Sequence, residues 1–120
     1  MENVDGTWKL FSVYLLIIFF ILFSNGALGQ IQIAVFNAEW NKDNNIEWVH
    51  KLSDVKTISY VDISKDTKLQ KKHKIAVIPT IIIFKDNEEV ARFQADLSFK
   101  MFATREEVQE EIDNQLMSDF

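Results

Sequence analysis

From Gln30 to its end the chain contains no glycine and a single proline, Pro79. Glycine supplies left-handed turns and proline punctuates loops, so a domain built here must turn on aspartate, asparagine and serine. All three glycines, Gly6, Gly26 and Gly29, lie in a first segment of different character. Leu10 to Phe23 is an uncharged apolar run, followed by Ser24-Asn25-Gly26 and by Ala27-Leu28-Gly29, small-x-small before Gln30. As a helix that run reaches about 21 Å, short of the roughly 30 Å hydrocarbon core. A short apolar core with a small-residue site is the pattern of a cleaved secretory signal peptide. Two features pull the other way. Glu2 and Asp5 precede the run with only Lys9 to oppose them, and extension to Leu28 gives nineteen residues, enough for an uncleaved anchor. A buried core helix is the third reading. The expected division is 1–29 as signal peptide or membrane anchor and 30–120 as one domain. That domain is exported to a periplasm, a secretory lumen or the extracellular space, and meets a membrane only through residues 10–28 if they are uncleaved.

Composition removes several chemistries. The chain has no cysteine, which excludes disulfide scaffolds, thiolate metal sites and every cysteine-based nucleophilic or redox step. Its net charge of −5 gives no general case for binding a polyanion, so nucleic acid is not expected as a partner. His50 and His73 are the only histidines, too few for a transition-metal site, and no metal or cofactor is expected. No G-x-S-x-G, Walker A, G-x-G-x-x-G or H-E-x-x-H pattern occurs, and Ser53, Ser59 and Thr80 have no base beside them in sequence. The acids are scattered rather than paired, so no catalytic residue is expected.

The element pattern is legible. Gln30 to Phe36 begins with alternation and ends continuously apolar, as a strand covered on both faces does. Asn37 to Asn45 is polar and turn-like around Trp40, and Ile46, Val49 and Leu52 then follow at helical spacing. Thr57 to Ile63 is β-branched and aromatic, a second strand. Ser64 is a candidate cap for the next helix, with Asp66 in its first turn. Thr80 to Lys85 is a strand, Asp86-Asn87 a turn, and Glu88 to Gln94 its returning partner. Thr104-Arg105-Glu106-Glu107 reads as a capping box opening a last helix, with Val108, Ile112 and Leu116 in one apolar stripe. The order is β-α-β-α-β-β-α.

That order, with Phe36-Asn37-Ala38-Glu39-Trp40 closing the first strand and Ile78-Pro79-Thr80-Ile81-Ile82-Ile83-Phe84-Lys85 opening the hairpin, resembles the thioredoxin family. The resemblance spans about Ile31 to Leu116. It implies an α/β thioredoxin-like fold, a central mixed β-sheet flanked by helices, here preceded by an N-terminal hydrophobic helix. It also implies a cis bond before Pro79. In redox-active members a Trp-Cys-x-x-Cys motif attacks and resolves disulfides. The matching stretch here is Trp40-Asn41-Lys42-Asp43-Asn44, with asparagine at both cysteine positions. Val35 stands where many members keep a buried acid, and Ala95 near a groove-lining glycine.

What the resemblance leaves is the groove. Ile78, Pro79 and Ala95 are the implied peptide-binding residues, with Trp40, Asn41 and Asn44 as the opposite rim. The resulting expectation is a redox-inactive module for a peptide or protein partner. Its rivals are an oxidoreductase by descent, inactive or reliant on a cysteine-bearing partner, and a membrane-anchored structural subunit.

Other features have plainer readings. Lys65, Lys68, Lys71, Lys72, His73 and Lys74 are expected to form a solvated basic face. Trp48, Phe93, Phe99 and Phe102 are expected in core or edge packing. Leu97 to Ala103 is longer than the family's usual link, and its Phe99, Met101 and Phe102 are expected under the last helix rather than in a partner-binding patch.

Overall fold

The computed structural model describes residues 29–118. The apolar run at 10–28, and with it the signal, anchor or hydrophobic helix expected there, lies outside the described residues. Among those residues no helix is long and apolar enough to cross a membrane.

Strand β1 (Ile31–Asn37) is followed by two 3-10 turns (Glu39–Asn44 and Glu47–Lys51), then β2 (Thr57–Asp62) and helix α1 (Thr67–Lys72). Strands β3 (Thr80–Lys85) and β4 (Glu88–Gln94) form a hairpin, and helix α2 (Arg105–Met117) closes the domain. The first two strands fall within one residue of their expected limits, and the hairpin strands coincide with theirs. Sheet order is β2-β1-β3-β4. β1 runs parallel to β2 and antiparallel to β3, so the sheet is mixed as expected.

Side chains of a strand alternate between faces, and both faces of β1 are covered. Ile31, Ile33 and Val35 join Ile81, Ile83, Val49, Leu52, Val108 and Ile112 in one core. Ala34 and Phe36 join Ile82, Ile75 and Ile78 in the other. All seven residues of β1 are buried, polar Gln32 and Asn37 included, and coverage on both faces explains the continuous apolar run from Ile33 to Phe36. Trp48, Phe93 and Met101 pack against the first core as expected. Ile46, Val49 and Leu52 are spaced by threes, matching a 3-10 turn of three residues rather than the expected α-helix.

Helix ends account for several polar residues. Asp66, not Ser64, caps α1, its side chain accepting from the Leu69 amide at 3.0 Å. Ser64 instead donates to the Asp62 carboxylate through its N–H, at 2.9 Å, and through its hydroxyl. The Thr104–Glu107 capping box is present in both directions. Strand cations finish both helices. Arg92 donates to the His73 and Lys74 carbonyls while holding Glu89, and Lys85 donates to the Gln115 carbonyl at 2.6 Å. Positive charge at a helix C-terminus meets the partial negative charge of its unpaired carbonyls.

The β3–β4 turn shows how the domain manages without glycine. Asp86 and Asn87 take φ of 53° and 72°, the left-handed pair that a two-residue hairpin loop requires. The Asp86 carboxylate also accepts the Gly29 amide at 2.8 Å, tying the entry to β1 to this end of the sheet.

Candidate functional site

The other end of β1 is polar. Asn37 closes the strand, and the 3-10 turn that follows places Asn41 four residues on with only 4 % of its surface exposed. A buried amide left without partners costs about 1–3 kcal/mol, so the surroundings must satisfy it. They do so with other asparagines. Asn41 Nδ2 donates to Asn37 Oδ1 at 3.0 Å, and Asn37 Nδ2 donates back to the Asn41 carbonyl at 3.3 Å and to Asn45 Oδ1. Asn44 Nδ2 donates to Asn41 Oδ1 at 2.8 Å. The second N–H of Asn41 reaches the Phe99 carbonyl at 3.1 Å, across 58 positions of sequence.

Ile78 and Pro79 lie beside this cluster, joined by the expected cis bond and both buried. Ile78 packs in the same core as Ala38, whose carbonyl accepts the Asn41 amide at 2.9 Å. The Pro79 carbonyl accepts the Ala95 amide at 3.0 Å, and the Thr80 hydroxyl donates to the Val77 carbonyl. Among the described residues the N–H and carbonyl of Ile78 itself have no hydrogen-bond partner. Trp40, Asn41, Asn44, Ile78, Pro79 and Ala95 therefore surround one end of the sheet, four of them buried.

Trp40 does not cap the core. It is 65 % exposed, and the Phe99 ring stands edge-on to it with centroids 5.2 Å apart and planes at 88°. Aromatic rings prefer this arrangement, which sets a positive edge against a negative face. Phe99 and Phe102 are likewise not beneath the last helix. Phe102 is 72 % and Leu97 86 % exposed, while Met101 and Ala103 of this stretch reach the core. The Asp96 carboxylate, accepting from the Ser98 hydroxyl and amide, folds the stretch into a turn, and those bonds hold its pKa below the usual carboxylate value. Phe99 is left at φ 64°, a conformation that costs a non-glycine residue roughly 1–2 kcal/mol. The Asn37 and Asn45 contributions and the Phe99 carbonyl were not evident in the sequence. Only the density of asparagine between 37 and 45 hinted at them.

On the far side of Asn37 and Asn45 an open cleft of about 380 Å3 runs along Val35, Ile46, Tyr60 and Asp62. Val35 faces it as a hydrocarbon, so this position has no carboxylate with which to tune a neighbour. Among the described residues no three of His, Asp and Glu gather where a metal ion could sit. His73 lies instead between the rings of Phe36 and Phe84, at 5.5 and 5.6 Å. Burial and then neighbouring Lys72 hold its imidazole below the usual range, and Glu89 opposes them. The lysines of the basic stretch are exposed along α1 and its flanks.

The same overall fold, a parallel pair extended by an antiparallel hairpin and flanked by helices, occurs in solved structures. A mutant thioredoxin from Halobacterium salinarum superposes with a TM-score of 0.59 at 16 % identity, covering 73 % of this chain and 76 % of that one. Thioredoxin-2, described as a component of malaria parasite protein secretion machinery, gives 0.56 at 19 %, covering 74 % and 86 %. Fasciola hepatica thioredoxin gives 0.53 at 19 %, covering 73 % and 83 %. The fold is thioredoxin-like. No protein-family model and no curated protein matches the sequence, so the likeness is one of architecture. Within that thioredoxin-like frame the chain holds no thiol.

Proposed function

We propose that this domain is an exported, redox-inactive thioredoxin-like module that binds an extended stretch of a peptide or partner protein beside Ile78. The observation that carries the reading is the pair of main-chain groups on Ile78, which have no partner among the described residues. Such groups recruit a strand, because an incoming backbone supplies the missing donor and acceptor. Asn41 supports the reading chemically. An amide has no nucleophilic electron pair at neutral pH, so the position cannot attack a disulfide, yet the Asn41 N–H now given to the Phe99 carbonyl is one that a peptide carbonyl can take over. Trp40, broad and exposed, offers the neighbouring apolar contact.

Export rests on the Leu10–Phe23 run and the Ala27-Leu28-Gly29 site. The test is a photoreactive phenylalanine analogue at position 40, irradiated in cells, with products mapped by mass spectrometry. Crosslinks into extended segments of one or more proteins are expected, together with a mature N-terminus at Gln30. An absence of products overturns the binding reading. An intact Met1 terminus overturns cleavage and favours an anchor.

A further inference from the structure

We propose that the turn at Asp96–Lys100 is a built-in occupant of this site, standing in for a peptide that presents an aromatic ring to Trp40 and that residue's carbonyl to Asn41. The inference rests on the peptide-binding reading above and specifies the ligand's chemistry and its competitor.

The turn holds the site by two contacts from one residue. Its carbonyl accepts from Asn41 Nδ2 at 3.1 Å, and its ring stands edge-on to Trp40. Both are contacts that an external peptide can reproduce one for one. Exchange therefore leaves neither the buried amide nor the exposed indole worse satisfied. Nothing comparable holds the turn from outside. Leu97 and Phe102 expose most of their surface, and the stretch is next anchored to the core at Met101 and Ala103, past the turn itself. Phe99 sits in the left-handed region that favours glycine, a conformation it can leave on release. The donor also selects its acceptor. A carbonyl satisfies an amide N–H, whereas the amide offers a disulfide sulfur no covalent chemistry.

The test uses a fluorescein-labelled synthetic peptide of the sequence of residues 96–103, added to the full chain and to two variants. Phe99→Gly removes the ring that holds the turn against Trp40, leaving the carbonyl as its one remaining contact with the site and freeing the turn to open. Asp96→Ala releases Ser98 at an exposed position and leaves every site residue in place. Binding is read by anisotropy, and the Asn41 side-chain amide by NMR. If the turn occupies the site nine-tenths of the time, Phe99→Gly binds about tenfold more tightly than the unaltered chain, because apparent affinity scales with the open fraction. Asp96→Ala changes in the same direction, and the Asn41 amide resonance shifts in all three. Equal affinity in all three, with the Asn41 resonance shifting, overturns the built-in occupant and leaves the peptide site standing. Weaker binding by both variants does the same, since the turn would then be part of the site's wall. No binding by any of them, with the Asn41 resonance unmoved, overturns the peptide-binding reading itself.

Discussion

The two ends of β1 are held by different physics. Along most of its length the strand is gripped by hydrocarbon on both faces, with Ile33, Ile81, Ile82 and Ile83 having no exposed surface. Burying one such side chain contributes about 1.5–3 kcal/mol, and the contact has no required direction. At Asn37 the grip changes to amides whose donors and acceptors must point at one another. Hydrophobic burial tolerates small shifts, whereas an amide lattice specifies orientation. The first end therefore supplies stability, and the second a fixed N–H beside an exposed ring.

The comparison breaks if the energies do not divide this way. Ile81→Ala, which opens a cavity between β1 and β4, is expected to cost about 2–5 kcal/mol in urea denaturation. Asn41→Leu keeps the volume but strands the partners on Asn37, Asn44 and Phe99, and is expected to cost about 1–3 kcal/mol. A neutral or stabilising result there would mean that the lattice adds no orientation worth its burial. Thr104→Ala should lose about 1 kcal/mol through the capping box. Trp40→Ala should change stability by less than about 0.5 kcal/mol while weakening peptide capture, which separates the two ends most sharply.

The smallest effect concerns pH. His73 has its acidity shifted by burial first, then by Lys72, with Arg92 acting the same way and Glu89 against. Its folded value lies below the ordinary 6.5, so the unfolded chain takes up the proton first as pH falls. Stability is then full above that ordinary value and declines as pH drops through the folded one. Urea midpoints at about pH 7.5 and 5.5 should differ slightly in the native chain, and this share of the difference should vanish in His73→Phe.

The hydrocarbon end was readable from the chain, and the amide end only in part. Thr80–Lys85 announces itself because Thr80 to Phe84 all prefer a strand and Pro79 and Asp86-Asn87 mark its ends. The capping box is a local device, so four residues suffice to see it. Asn41 and Asn44 could be placed by resemblance. Their bonds could not, because the Phe99 carbonyl arrives from 58 positions away. The start of α1 was misread for a similar reason. Ser64 and Asp66 are both good caps, and the choice fell to Asp62, which claims the serine. Phe102 was expected inside because an apolar residue in a loop reveals nothing of the direction it faces.

The bond from Gly29 to the Asp86 turn sets a polarity for the whole domain. Whatever precedes Gly29 departs from the hairpin end, while Trp40 and Asn41 lie beyond the opposite end of a seven-residue strand. At about 3.3 Å per residue that strand is a stand-off of about 23 Å. Loss of the Gly29–Asp86 bond would untie the entry to β1 from the hairpin turn and leave the amide end as it is.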